Sequence, residues 1–245
     1  MSKTKILQLI SLIDLTTLEA TDTNETVKNL LDKANLGVAG VHPAAVCVFP
    51  NFGALAKKHA QMKVAVVGGC FPTGQTLLEA KTDEFKAIQK LPVDEVDIVI
   101  NRGLLIAGKV DACAEEIKIA RKILHDKTLK VILESGELTA EQLQTAAEIS
   151  IHAGADFIKT STGKSASGAS PEAAKIMCRE ISKHFKKTGK KVGFKASGGI
   201  RNYEDACLYF QIVEQCLGKA WLNAELFRIG ASSLYDHLVK KLQHT

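Results

Sequence analysis

Aromatic residues make up only 5% of this 245-residue chain, and only 5 of its 32 basic side chains are arginines: Arg102, Arg121, Arg179, Arg201 and Arg228. A nucleic-acid binder usually gathers Arg on a basic stripe beside aromatic stacking platforms, so the formal charge of +5 does not call for such a partner. The six cysteines (Cys47, Cys70, Cys113, Cys178, Cys207, Cys216) form no C-x-x-C, several of them sit in apolar periodic stretches where a buried thiol is unremarkable, and a reducing cytoplasm fits best. The seven histidines include no H-x-H or H-x-x-x-H pair, so no metal site is expected. Apolar runs are short as well. After Lys3 and Lys5 the first is interrupted by Gln8, Ser11 and Asp14, which argues against a signal sequence or a membrane span. No Pro/Gly/Ser linker divides the chain, so a single domain over residues 1–245 is expected.

What is present is alternation. Short β-branched runs (Leu9 to Asp14, Ala45 to Phe49, Val64 to Val67, Glu95 to Asn101, Leu129 to Leu133, Ala155 to Lys159, Lys191 to Lys195, Glu225 to Gly230) are separated by amphipathic stretches. Thr139 to Gln142 reads as a capping box, and Ser170 as an N-cap with Pro171 at the first helical position. Eight strand-helix units of roughly 30 residues predict an α/β fold of the (β/α)8 TIM-barrel kind. An open doubly wound sheet is disfavoured, because no G-x-G-x-x-G follows the first run.

Lys63, Lys130 and Lys191 begin their runs, which puts them at the N-terminal face of a barrel as solvated residues. Lys159 and Lys195 end theirs, at the face where barrel active sites form. With Ile158 and Phe194 facing the helices, parity turns both lysines inward, and the same alternation turns Asp97 inward. A plain internal salt bridge is one reading, but it leaves a second lysine without a second carboxylate. Two ammonium groups about 6 Å apart at an effective dielectric near 20 repel by about 3 kcal/mol, enough to lower one lysine's pKa by roughly 2. Desolvation acts in the same direction. Such a lysine attacks carbonyls and forms a Schiff base.

Three segments follow the last three strands: Thr160-Ser-Thr-Gly-Lys164, Ser197-Gly-Gly-Ile-Arg201 and Gly230-Ala-Ser-Ser233. Backbone N–H groups in such turns and at a helix N-terminus bind phosphate, and barrels place phosphate in the loops after strands 7 and 8. The expected partner is a small phosphorylated molecule, with a transaldolase-like enzyme, a sugar-phosphate isomerase or a phosphosugar-binding protein as other occupants of the same pattern.

Asp14-Leu-Thr-Thr17, Glu95-Val-Asp-Ile-Val-Ile-Asn101, Leu133-Glu-Ser-Gly-Glu137, Gly154-Ala-Asp-Phe-Ile-Lys-Thr-Ser-Thr-Gly-Lys164, Gly193-Phe-Lys-Ala-Ser-Gly-Gly-Ile-Arg201 and Gly230-Ala-Ser-Ser233 together resemble the deoxyribose-phosphate aldolase family of class I aldolases. The resemblance spans nearly the whole chain. It implies Lys159 as the Schiff-base nucleophile, Lys195 as the cation that lowers its pKa, and Asp97 as a partner of an ordered water in proton transfer. It further implies Asp14 behind Lys195, Thr162 near a substrate hydroxyl, and a phosphate held by Gly163, Lys164, Gly198, Gly199, Arg201, Ser232 and Ser233. The implied reaction is the reversible cleavage of 2-deoxyribose 5-phosphate to acetaldehyde and glyceraldehyde 3-phosphate, without metal or organic cofactor, in a protein that forms a homodimer. Some members end in a tail with a terminal tyrosine that assists proton transfer. This sequence ends Gln243-His244-Thr245, and Tyr203, Tyr209 and Tyr235 read as helical.

Overall fold

Ile6, Leu9 and Ile10 are buried at the spacing of one helical face, and the computed structural model, which describes residues 2–244, opens with helix α1, Lys3–Ile10. This corrects the expected strand from Leu9 to Asp14: the first strand, β1, is Ile13–Thr16. Met1 and Thr245, the ends of the expected domain, lie outside the described residues.

The chain then alternates as α2 (Asn24–Leu36), β2 (Ala45–Val48), α3 (Gly53–His59), β3 (Lys63–Gly68), α4 (Leu78–Gln89) and β4 (Glu95–Val99). It continues through α5 (Arg102–Ile106), α6 (Val110–Ile123), β5 (Thr128–Ile132), α7 (Ala140–His152), β6 (Phe157–Lys159) and α8 (Pro171–Thr188). The last elements are β7 (Gly193–Ser197), α9 (Tyr203–Leu217), β8 (Phe227–Ala231) and α10 (Ser233–Gln243). All neighbouring strands are parallel, and β8 pairs back onto β1, so the sheet is a closed (β/α)8 barrel.

The helix starts follow local chemistry. Thr139 accepts from the Gln142 amide while the Gln142 side chain accepts from the Thr139 amide, which completes the capping box at α7. The Ser170 hydroxyl accepts from the Ala173 amide, with Pro171 opening α8. Tyr203 and Tyr209 lie on α9, and Tyr235 on α10.

Strand parity divides the core in two. Val46, Val64, Val66, Val96, Ile98, Leu129, Val131, Ile158, Phe194, Phe227 and Ile229 point outward and join the main apolar core with the helices. The inward set is different in kind. On the β2 and β3 side it is apolar, with Cys47, Ala65 and Val67 packed against Leu18. On the remaining strands it carries seven buried charged side chains, Asp14, Glu95, Asp97, Lys130, Lys159, Lys195 and Arg228. Among the described residues no helix is long and apolar enough to cross a membrane.

Candidate active site

The register β6 to β7 makes Lys159 and Lys195 direct neighbours, and β5 to β4 does the same for Lys130 and Asp97. All four side chains point into the barrel, where Asp97 meets three ammonium groups. Its Oδ2 accepts from Lys159 at 2.9 Å and from Lys195 at 2.8 Å, and its Oδ1 accepts from Lys130 at 2.9 Å. Lys195 also donates to Asp14 Oδ2 at 2.5 Å.

Beneath this layer lies a second. Lys130 donates to Glu95 Oε2 at 2.5 Å, and the Arg228 guanidinium donates to Asp14 Oδ1 at 2.6 Å and to Glu95 Oε1 at 2.8 Å. Two expectations are corrected here. Lys130 is not solvated at the N-terminal face: Leu129 and Val131 face the helices, so parity turns Lys130 fully inward. Nor does the second lysine lack a carboxylate, because Asp14 serves Lys195 and Glu95 adds a third acidic group. Sequence reasoning also missed Glu95 and Arg228 as interior residues. The alternation that turned Asp97 inward would have found both.

These contacts set the protonation states. Burial would raise the Asp97 and Asp14 carboxyls, but the surrounding cations outweigh it and hold both below the ordinary carboxylate value. For Lys195 and Lys130, burial acts downward and the carboxylates prevail, so both ammonium groups are held above the usual lysine range. Lys159 goes the other way. Burial lowers it, Asp97 opposes, Lys195 reinforces, and the net shift is downward. One lysine is thus biased toward the neutral amine beside another that stays charged. Burial pushes the adjacent Cys47 thiol up, which keeps it protonated.

Above the lysines opens a cavity of about 450 Å³. Lys159 lines it, together with Thr16 at the end of β1, Thr17, Leu18 and Glu19 after it, Thr162, Gly163 and Lys164 after β6, Ser197 through Arg201, and Gly230 through Ser233. Every residue expected to hold a phosphate is on this wall. Gly163, Gly198 and Gly199 have φ of 79°, 90° and 84°, the left-handed region that glycine adopts without strain and that lets backbone N–H groups turn toward a ligand. Ser232 precedes α10, whose first turn opens beside the cavity.

Two side chains differ from expectation in detail. Lys164 spans the mouth to pair with Glu19 Oε1 at 2.8 Å. The Thr162 hydroxyl donates to Glu134 Oε2 at 2.5 Å and accepts from the Lys164 amide at 3.0 Å. Glu134 was assigned no role from the sequence. It is buried after β5 with φ of 53°, accepts from the Thr162 amide and the Ser165 hydroxyl, and so organises the loop that follows β6. Its signal was the Leu133-Glu-Ser-Gly-Glu137 motif at a strand's C-terminal end. Among the described residues no group of three or more His, Cys, Asp or Glu is placed to hold a metal ion.

Residues 8–233 match the family described as DeoC/LacD family aldolase. The chain belongs to the DeoC/LacD aldolase family. This DeoC/LacD aldolase is a carbon-carbon lyase, and its nearly full length is shared with relatives. It is 38% identical over 257 residues to the human protein named deoxyribose-phosphate aldolase, covering 98% of this chain and 81% of that one. A crystal structure of a putative deoxyribose-phosphate aldolase from Coccidioides immitis superimposes with a TM-score of 0.81 at 30% identity, covering 96% of this chain and 86% of that one. The deoxyribose phosphate aldolase of Aeropyrum pernix, described as having a unique tetrameric structure, gives a TM-score of 0.73 at 28% identity over 99% of both chains.

Proposed function

We propose that this aldolase acts through a Schiff base on Lys159 and reversibly cleaves 2-deoxy-D-ribose 5-phosphate to acetaldehyde and D-glyceraldehyde 3-phosphate. The observation that carries this reading is the pairing of two unlike lysines on one carboxylate oxygen: Lys159 lowered and lining the cavity, Lys195 raised and buried beneath it.

The neutral Lys159 amine adds to the C1 aldehyde, and the resulting carbinolamine takes up a proton and loses water to leave an iminium. A base takes the C3 hydroxyl proton, the C2–C3 bond breaks, and its electron pair moves into the iminium to give the enamine, releasing glyceraldehyde 3-phosphate. Protonation of the enamine at C2 and hydrolysis of the resulting iminium release acetaldehyde and restore the amine. The iminium is the electron sink, so the reaction calls for no metal or organic cofactor.

Asp97 is a poor base while three ammonium groups hold it. The iminium keeps the Lys159 nitrogen cationic, but as the C2–C3 bond breaks it becomes a neutral enamine, so Asp97 Oδ2 loses one neighbouring positive charge and becomes more basic as the proton leaves C3–OH. A water between Asp97 and the substrate carries that proton. Lys195 stays cationic throughout. The phosphate is held by Gly163, Lys164, Gly198, Gly199, Arg201, Ser232 and Ser233, which combine turn amides, a helix N-terminus and two cations. Thr162, already donating to Glu134, positions the loop more than it binds a hydroxyl.

The chain works as one barrel domain and associates as a homodimer, the latter checked by the mass of the purified protein in solution. Six free cysteines support a reducing cytoplasm as its setting, in the catabolism of deoxyribose phosphates. The deciding experiment mixes the protein with 2-deoxyribose 5-phosphate, reduces with borohydride and maps the adduct by peptide mass spectrometry. An adduct on Lys159, absent from Lys159→Ala, is expected. Binding of the sugar phosphate without any adduct would overturn the reading in favour of an isomerase or a binding protein.

A further inference from the structure

The charged groups inside the barrel do not balance when every lysine is protonated. Three carboxylates, Asp14, Glu95 and Asp97, face four cations, Lys130, Lys159, Lys195 and Arg228, and all seven are at least 97% buried. Each of the other cations reaches a carboxylate that Lys159 does not: Lys130 reaches Glu95, Lys195 reaches Asp14, and Arg228 reaches both. Lys159 touches only Asp97, on the oxygen that Lys195 also holds.

We propose that Arg228 is a positioning residue for the imine chemistry: by occupying Asp14 and Glu95 at the bottom of the barrel, it makes Lys159 the surplus cation of the interior and so keeps its amine unprotonated. This rests on the reading of Lys159 as the Schiff-base lysine. With Lys159 neutral the interior is electroneutral, with three cations against three carboxylates. With Lys159 protonated it carries an uncompensated positive charge that its burial leaves only weakly screened. Arg228 is suited to the part because its guanidinium is always charged and reaches Asp14 and Glu95 at once.

The groups around each end fit. Lys159 is faced by Asp97 from β4, Lys195 from β7 and the Cys47 thiol from β2, while Lys130 from β5 holds the other Asp97 oxygen. Arg228 is faced by Asp14 from β1, Glu95 from β4 and its register neighbour Lys195. Lys130 approaches Asp14 at 3.7 Å, which ties the two layers together. Lys63, at the lower rim, lies 3.8 Å from Glu95 but is 38% exposed and paired at 2.8 Å with the exposed Glu225, so it supplies little uncompensated charge to the interior. The protonation directions already described agree: Lys159 is the only one of the four cations pushed down.

The test measures the free amine directly. The rate at which Lys159 is acetylated by a small neutral reagent is followed against pH by peptide mass spectrometry, with circular dichroism confirming the fold of each variant. Arg228→Met removes a cation and should move the midpoint up by about one pH unit or more. Glu95→Gln removes an anion and should move it down. The double variant, which removes one of each, should return it toward the starting value. Arg228→Lys keeps the charge and should leave the midpoint in place even if turnover falls. Midpoints that stay put in both single variants, or move in the same direction, would overturn the proposal and leave Arg228 a structural residue. Should Arg228→Met not fold, Glu95→Gln and Arg228→Lys decide: a downward shift in the first with none in the second sustains it, and any other pair of results overturns it. Because acetylation needs no substrate, this outcome is separate from whether deoxyribose 5-phosphate yields a trapped adduct.

Discussion

Lys159 and Lys195 are register partners on adjacent strands, and a single oxygen, Asp97 Oδ2, accepts from both, at 2.9 and 2.8 Å. The pair differ in what else they hold. Lys195 has Asp14, and Lys159 has only the cavity. Replacing Lys195 by Met removes the repelling charge and leaves more of Asp97 to Lys159, so the Lys159 pKa should rise. Aldol cleavage at neutral pH should fall by about 100-fold or more. The pH midpoint of borohydride trapping should move upward with it. An unchanged midpoint would show that Lys195 does not tune its neighbour.

Asp97→Asn separates imine formation from turnover. The amide cannot neutralise three ammonium groups, and breaking a buried ion pair from one side costs about 3–5 kcal/mol. Urea unfolding should show a loss of that size. The Lys159 pKa should fall further with the anion gone, so trapping should persist at neutral pH while cleavage nearly stops for want of a base.

The same interior shows how far the sequence could be read. Parity within β4, β6 and β7 is strict, because one face must meet the helices and the other the barrel axis, and so Asp97, Lys159 and Lys195 were legible from their apolar neighbours alone. Lys130, Glu95 and Arg228 obey the same rule, yet each sits low in its strand, where a charge at the first positions reads as solvated. Alternation gives their direction, whereas the pairing that keeps these charges buried so low in the barrel runs across strands β1, β4, β5 and β8, between segments distant in sequence. Glu134 was obscured differently. It lies in a loop, and its partners Thr162 and Ser165 come from the loop after the next strand. At the N-terminus, only Ser11 separates Leu9 and Ile10 from the apolar residues that lead into the strand, although their spacing from Ile6 is helical.

Stability should depend on pH with opposite signs at the two ends. Asp14 and Asp97 have folded pKa values below the ordinary 3.8, so their contribution is complete above that value and is lost as pH falls through the folded ones. Lys130 and Lys195 have folded values above 10.5, so their contribution is complete below 10.5 and is lost as pH rises through the folded ones. Lys159 is lowered, so stability should climb as pH rises from its folded value toward 10.5. Thermal unfolding across pH should therefore show a fall below about pH 4 and a gentle rise on the alkaline side of neutrality. In Lys159→Met the rise should disappear while the acid limb remains.

The ion pair between Lys164 and Glu19 closes over the cavity mouth with both side chains partly solvated, so it is worth about 1 kcal/mol or less. A phosphate bound by Lys164 must displace Glu19. Glu19→Gln should lower KM for 2-deoxyribose 5-phosphate by up to about fivefold, whereas Lys164→Ala and Arg201→Ala should raise it by about tenfold each. None should change KM for unphosphorylated 2-deoxyribose to the same extent. Equal effects on both sugars would remove these side chains from the phosphate site.

Gly230 tests the rigidity of the lysine pair from the far side. It faces inward on β8, and a Cβ there would lie 2.9 Å from the Ser197 Cβ and 3.0 Å from the Lys195 Cε. Neither neighbour is free to yield: the Ser197 hydroxyl is bonded to the Ser161 carbonyl, and the Lys195 ammonium to Asp14 and Asp97. Gly230→Ala should therefore fold with a loss of about 1–3 kcal/mol, the usual cost of overpacking an interior. The displaced side chain most coupled to chemistry is Lys195. If it moves off Asp97 Oδ2, Lys159 regains that oxygen, and its trapping midpoint should rise in the same direction as in Lys195→Met but by less. A stability loss with no movement of the midpoint would mean that Ser197, not Lys195, takes up the strain.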